Sequence, residues 1–273
     1  MLCQCSAIAR SRGYRYIGIQ YFAECWGGGD ERYSLEGKST NCMQSYATFG
    51  KEVCNFALQS GCVGLGSTNF VYYLPDCWEM VDVAVLLDLS SSMQGKALTA
   101  AKHFLKSLVD LLKISRPRTH MGLITFYSKT AKTEFDFSSP LNNRANAEEL
   151  KAVIDGFQSP GGSTWPDVAF ERAVTLFTEE KGARGESPKI VITITDGTIH
   201  QDSTIYPIML KLKSKGVELL SVGVGSDVDQ REVNALAFNN LHNVFDGNKG
   251  DGAKNVADRI TVIAKDKCNG GRN

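Results

Sequence analysis

Apolar and polar positions change rhythm along this chain, and the rhythm divides it. From Glu79 onward, short apolar runs alternate with longer amphipathic ones. "VDVAVLLD", ending at Asp88, is a continuous apolar run, the mark of a strand buried on both faces. "GKALTAAKHFLKSLVDLL" follows with Ala97, Ala101, Phe104, Leu105, Leu108, Leu111 and Leu112 at helical spacing. "HMGLITFYS" predicts a strand, and the alternating "AKTEFDFS" predicts an edge strand. Two helices are expected in "NAEELKAVIDGF" and "WPDVAFERAVTLFTEE", the second tolerating Pro166 in its first turn. "KIVITITD" is a second doubly buried strand. The remainder reads as helix ("IYPIMLKLKSKG", closing near Gly216), strand ("VELLSVGVG"), helix ("DQREVNALA"), short strand ("NVFDG") and closing helix ("GAKNVADRITVIAKD"). Strand and helix in alternation predict a doubly wound α/β fold, an open and mostly parallel sheet with helices on both faces.

Before Glu79 the texture differs. "RYIGIQYF" alternates like a strand, with Tyr16, Gly18, Gln20 and Phe22 on one face and Ile17, Ile19 and Tyr21 on the other. "GGGDE" reads as a turn and "TNFVYYL" as a second strand. A unit of this size, residues 1–76, has too little core to stand alone and would need crosslinks.

Cysteine placement supports the same division. Cys3, Cys5, Cys25, Cys42, Cys54 and Cys62 crowd the first quarter, Cys77 follows, and Cys268 stands alone near the end. A small cysteine-dense unit before a larger cysteine-poor one is the pattern of an extracellular mosaic. Zinc is the weaker alternative, since Cys3 and Cys5 lack a second close pair and no histidine lies among the cysteines. The start has no apolar signal-peptide core, so a piece of a longer secreted protein, incomplete at its amino end, is the expectation. The 30 basic and 30 acidic residues cancel, which argues against a nucleic acid or anionic membrane held by bulk charge. No run of about 18 apolar residues predicts a membrane span.

In an open α/β sheet, ligands bind beyond the carboxyl ends of the strands, so three strand-end segments matter. In "DLSSS", Asp88 ends a strand, with Ser90 and Ser92 two and four residues on. In "SPGGSTWPD", two glycines allow a tight turn and Thr164 stands just before a helix. In "TDGT", Asp196 ends another buried strand. Singly, each has an ordinary reading: serine or threonine as a helix cap, aspartate as a turn former. Together, two carboxylates and three hydroxyls form an all-oxygen set suited to Mg²⁺, Ca²⁺ or Mn²⁺, with Mg²⁺ the first expectation. Neutral hydroxyls would leave such an ion partly unneutralised, so a partner's acidic group could complete its coordination. Rival chemistries lack parts. Ser90 stands where a haloacid-type phosphatase needs a second aspartate, no P-loop or Gly-x-Ser-x-Gly elbow occurs, and the four histidines show no metal spacing. His200, after a strand-end loop, reads as an ordinary histidine near the crevice. No catalytic set is found, and a non-enzymatic protein is expected.

Asp88-x-Ser90-x-Ser92, Thr164 after Gly-Gly, and Asp196 in Thr-Asp-Gly resemble the von Willebrand factor type A domain and its metal-ion-dependent adhesion site. The resemblance covers about residues 79–268, and the expected domain runs 77–268 with a 269–273 tail. It implies direct contact of Ser90, Ser92 and Thr164 with the ion, and contact of Asp88 and Asp196 directly or through water. Two departures stand out: Ser91 where the family often has glycine, and Pro166 in place of the second threonine of Thr-x-Thr. The family places the two ends of this domain close together, which implies a Cys77–Cys268 disulfide. It also implies an extracellular protein ligand offering an acidic residue, such as a collagen-like or other matrix protein. A structural role in matrix assembly, with the metal mainly stabilising the fold, is the alternative.

"RGYRYIGIQYFAECWGG" resembles the WSC domain, a cysteine-rich module associated with carbohydrate binding. That family often carries two cysteines four apart before Gly-Tyr and Cys-x-Cys after the strand. Here Cys5 is kept but Ala9 is not cysteine, and Cys25 is kept but Gly27 is not. Loss of one cysteine on each side matches loss of one whole bridge, which implies Cys5–Cys25. Trp26, Tyr14, Tyr16 and Tyr21 are then candidates for stacking on sugar rings, with core packing the ordinary reading, and Trp26, beside flexible glycines, comes first.

Overall fold

The computed structural model describes residues 5, 8, 9, 12–20, 24–29, 42, 43, 63, 64, 69–74, 76–142, 146–185, 187–197, 199, 200 and 203–270. The chain forms two compact units, Met1–Asp76 and Cys77–Asn273.

In the first unit, β1 (Tyr16–Gln20) is antiparallel to β2 (Glu24–Gly28) on one side and to β5 (Phe70–Tyr73) on the other. Two short pieces, β3 (Cys42–Met43) and β4 (Val63–Gly64), complete the sheet. Ile17 and Ile19 are buried with Cys5, Ala9 and Leu74, a small core that includes a disulfide between Cys5 and Cys25. Strand β2 corrects the reading of the triple glycine as a turn, because Gly27 and Gly28 lie inside it. At Gly27 a Cβ would come within 2.6 Å of the Tyr14 ring. Glycine there admits a neighbouring ring rather than bending the chain. Cys3, Cys54 and Cys62 fall outside the described residues.

The second unit is built on a six-stranded sheet: β6 (Asp82–Asp88), β7 (His120–Tyr127), β8 (Thr130–Phe135), β9 (Lys189–Thr195), β10 (Val217–Gly223) and β11 (Val244–Asp246). The order is β11-β10-β9-β6-β7-β8, all parallel except the antiparallel edge strand β8. All seven residues of β6 are buried, because alternate side chains feed two separate cores. Val83, Val85 and Leu87 meet α1 (Lys96–Leu111), α2 (Ala147–Gly156) and α6 (Gly252–Gly270). Ala84 and Leu86 meet α3 (Pro166–Leu176), α4 (Tyr206–Ser214) and α5 (Gln230–Leu236). This is the doubly wound arrangement expected from the apolar runs. Among the described residues, no helix is long and apolar enough to cross a membrane.

Asp82, at the start of β6, is fully buried. It accepts bonds from the Arg184 guanidinium at 2.6 and 2.9 Å, from the Arg184 backbone N–H at 2.7 Å and from Ser187 Oγ at 2.5 Å. Such saturation is what allows a carboxylate to sit in a core. The Cys77–Cys268 disulfide, with Cα atoms 5.9 Å apart, ties the start of this unit to its last helix.

Candidate metal centre

Chain order reverses beside β6: β7 lies on one side of it and β9 on the other. The carboxyl ends of β6 and β9 therefore flank the switch point where such sheets open a crevice. Asp88 is the last residue of β6, and Asp196 follows the last residue of β9. The two are close enough for the negative charge on Asp196 to act on Asp88.

The helix-cap reading of the hydroxyls fails. Helix α1 begins at Lys96 with Gly95 as its cap residue, three positions beyond Ser92 and without a side-chain cap bond. Helix α3 begins at Pro166 with Trp165 in the cap position, again without a side-chain cap bond. The serines instead turn back on the strand end. Ser90 N–H donates to Asp88 Oδ1 at 2.8 Å, and Ser90 Oγ and Ser92 Oγ lie 3.2 Å apart. Asp88, Ser90, Thr164 and Asp196 are buried, while Ser92 is exposed, which leaves one side of the group toward solvent.

Thr164 comes to the same edge through its loop. Ser91 N–H donates to Gly162 O at 2.9 Å, and Gly162 N–H donates to Ser91 Oγ at 2.7 Å. Ser159 Oγ donates to the carbonyls of Leu89 and Ser90 at 2.8 and 2.7 Å. Ser128 N–H, at the end of β7, donates to Ser163 O at 2.6 Å. Gly161 and Gly162 make this approach possible at φ +87° and +100°, and a Cβ on Gly162 would overlap Ser128 Oγ. Ser91, the departure from the family pattern, thus clamps the second loop rather than disturbing it.

Burial dominates the electrostatics of Asp88, raising its pKa from 3.8 to about 6. The Thr195 hydroxyl, donating to Oδ2 at 2.7 Å, and the Ser90 bonds act in the opposite direction. Thr195 also accepts from Gly197 N–H at 3.0 Å, so one hydroxyl links the ends of β6 and β9. Sequence reading passed over Thr195, although it alternates with Ile194 beside Asp196 in "VITITDGT". Trp165 was missed as well. Its ring stacks on His200 at 4.2 Å, Lys129 Nζ sits 4.2 Å from its centroid, and His200 N–H donates to Thr164 O at 2.9 Å. His200 is therefore a half-buried brace of the Thr164 loop rather than an ordinary exposed histidine.

The donor set fits a hard divalent cation. Each Asp88 oxygen has one bonded donor and a further lone pair, and the buried Ser90 hydroxyl lies beside that of exposed Ser92. Among the described residues, no group of three or more histidine, cysteine, aspartate or glutamate side chains is arranged to hold a metal. A cation here would depend on hydroxyl oxygens. In the first unit Trp26 is 56 % exposed on β2.

A family model described as von Willebrand factor type A domain matches residues 82–259. The human collagen alpha-5(VI) chain is 28 % identical over 202 residues, covering 71 % of this chain and 7 % of that protein. Mouse matrilin-4 is 29 % identical over 154 residues, covering 55 % of this chain and 24 % of its own length. The chain thus spans less than a quarter of either relative. Among solved structures, the manganese-loaded Plasmodium vivax TRAP protein aligns with a TM-score of 0.56 at 20 % identity, over 71 % of this chain and 75 % of that one. Mussel byssus proximal thread matrix protein 1, with zinc in its MIDAS motif, aligns with a TM-score of 0.54 at 24 % identity, over 69 % of this chain and 48 % of its own. These two likenesses speak for the fold. The sheet order, the two helical layers and a family match over more than half of its length establish that this chain belongs to the von Willebrand factor type A domain family.

Proposed function

We propose that the second unit is a cation-dependent adhesion module of an extracellular matrix protein. Asp88, Ser90, Ser92, Thr164 and Asp196 would hold one divalent cation, Mg²⁺ before Ca²⁺ or Mn²⁺, as a metal-ion-dependent adhesion site. The observation that carries this reading is the turn after β6, where Asp88, Ser90 and Ser92 converge instead of capping α1. The role of these residues is to fix oxygen donors at the switch point while supplying only two negative charges. A carboxylate from a protein partner would add the missing charge. The similarity to collagen and matrilin chains supports a secreted matrix setting and a matrix protein as partner. The reading is non-enzymatic, and the His200 ring is held in a stack on Trp165.

The first unit, residues 1–76, is proposed as a WSC-like module that adds a glycan contact through Trp26, whose exposure favours stacking on a sugar ring. A pull-down from extracellular matrix in Mg²⁺, in EDTA, and in Mg²⁺ with Asp88→Ala tests the adhesion role. Recovery in Mg²⁺ alone is expected. Equal recovery under all three conditions would defeat it. If EDTA lowers the melting temperature but leaves partner capture intact, the metal serves the fold and the protein is a structural assembly component.

A further inference from the structure

A cavity of about 280 Å³ opens at the end of the sheet opposite Asp88, where β9 and β10 begin and α6 ends. Cys77, Cys268, Ser187, Lys189, Lys215 and Lys267 are in its wall. Two of the ammonium groups are fixed there by neutral backbone oxygens. Lys189 Nζ donates to the carbonyls of Arg184, Gly185 and Ser187 at 2.7, 3.1 and 3.2 Å, and Lys267 Nζ donates to Gly216 O. Carbonyls hold these charges in position without neutralising them.

Among the described residues, two carboxylates near the cavity are engaged, and Asp266 is exposed on α6 beside Lys267. Glu218 pairs with Lys213 at 3.0 Å, and Asp82 is saturated by Arg184 and Ser187. The loop sequence also carries Glu186. Burial lowers the pKa of Lys267; Glu218 opposes that, while Lys213 and Lys189 push it further down. Like charges are thus gathered in a half-buried recess, an arrangement that costs free energy until an anion enters. Exposed Lys211 and Lys215 extend the positive charge outward along the end of α4.

We propose that this recess binds the sulfate groups of a sulfated glycan chain. A sulfate ester stays ionised, accepts several hydrogen bonds and fits the cavity. The lysines along the end of α4 give an extended polyanion contacts beyond the recess, which a single small anion could not use. With 30 basic and 30 acidic residues the chain offers no bulk charge, so the attraction would come from local clusters such as this one. The site lies at the opposite end of the sheet from the cation centre and is independent of it, so protein and glycan could be engaged together.

The test measures binding of a heparin-derived oligosaccharide by calorimetry in EDTA, which keeps the cation centre out of the result. The wild-type protein should bind and weaken steeply as salt rises. Lys215→Gln combined with Lys267→Gln should lose about tenfold or more, as expected for two charge-assisted contacts. Lys254→Gln, elsewhere on α6 and paired with Asp258, should bind like wild type. Lys215→Gln alone, an exposed position, should give a partial loss and guards against misfolding of the double variant, which its melting temperature would reveal. Wild-type affinity in both lysine variants would overturn the proposal. Inorganic sulfate binding as tightly as the oligosaccharide would overturn the glycan assignment in favour of a small-anion site.

Discussion

Removing the Cys77–Cys268 bond should destabilise the second unit strongly. The two cysteines are 191 residues apart, so the bond closes a loop nearly as long as the unit itself. In the chain-entropy model, freeing a loop of that length in the unfolded state costs the folded state about 5 kcal/mol. Residual structure in the unfolded chain reduces this, and about 3–5 kcal/mol is the expected loss. For a unit of this size that corresponds to a melting temperature about 10–15 °C lower. The perturbation is the double variant Cys77→Ser with Cys268→Ser, which leaves neither partner as a free thiol. Differential scanning calorimetry reads the shift, and amide exchange reads its local effect. Exchange should rise first in the last turns of α6, whose C-terminal end the bond anchors. We propose that this anchoring holds α6 in one position, so that the unit binds without any movement of its last helix. A melting shift below about 3 °C, with ligand affinity and α6 exchange unchanged, would refute both the loop-closure argument and the anchoring role.

In EDTA, Asp88 should titrate near pH 6 in the folded protein and near 3.8 unfolded, because burial penalises its charge. The folded state then holds the extra proton between those values, so stability should rise as pH falls from 6 towards 4, by on the order of 2–3 kcal/mol from this residue. Asp88→Asn should remove that dependence, which urea unfolding across the range would show. Cation affinity should move the opposite way, weakening as pH falls through 6, because binding must displace the proton; calorimetry in buffers of different ionisation heat would detect the release. Arg184→Met should cost about 3–5 kcal/mol by leaving Asp82 buried without its partner, and adding Asp82→Asn should recover part of the loss in chemical denaturation. Gly162→Ala should cost about 1–3 kcal/mol through its positive φ and its collision with Ser128. It should also weaken cation binding more than stability alone explains, since the loop carrying Thr164 would shift.

Much of the fold was legible because doubly buried strands leave continuous apolar runs. "VDVAVLLD" and "KIVITITD" are the central pair, β6 and β9. Even the polar edge strand β8 announced itself by alternation. Strand β2 did not, since a glycine that admits the Tyr14 ring looks locally like a turn. The candidate centre was readable as residue types at strand ends, but not as contacts. Only the three-dimensional arrangement shows Thr195 bonding Asp88 across 107 positions, or Ser91 clamping a loop 71 positions away. The lysine recess left no local pattern. Its charges come from three elements and meet only because parallel strands start at the same edge. The same holds for Arg184, which is 102 positions from the carboxylate it neutralises.

Five oxygen-bearing side chains at the β6–β9 switch point are proposed to hold a divalent cation. Titrating Mg²⁺ into EDTA-treated, desalted protein by isothermal calorimetry at pH 7.5 tests it most directly, with Asp88→Ala and Ser90→Ala/Ser92→Ala alongside. The wild type should show one saturable site per chain, lost in Asp88→Ala and weakened at least about tenfold when both hydroxyls are removed. Saturable binding of equal affinity in all three folded proteins, or none in the wild type with Mg²⁺, Ca²⁺ or Mn²⁺, would contradict it.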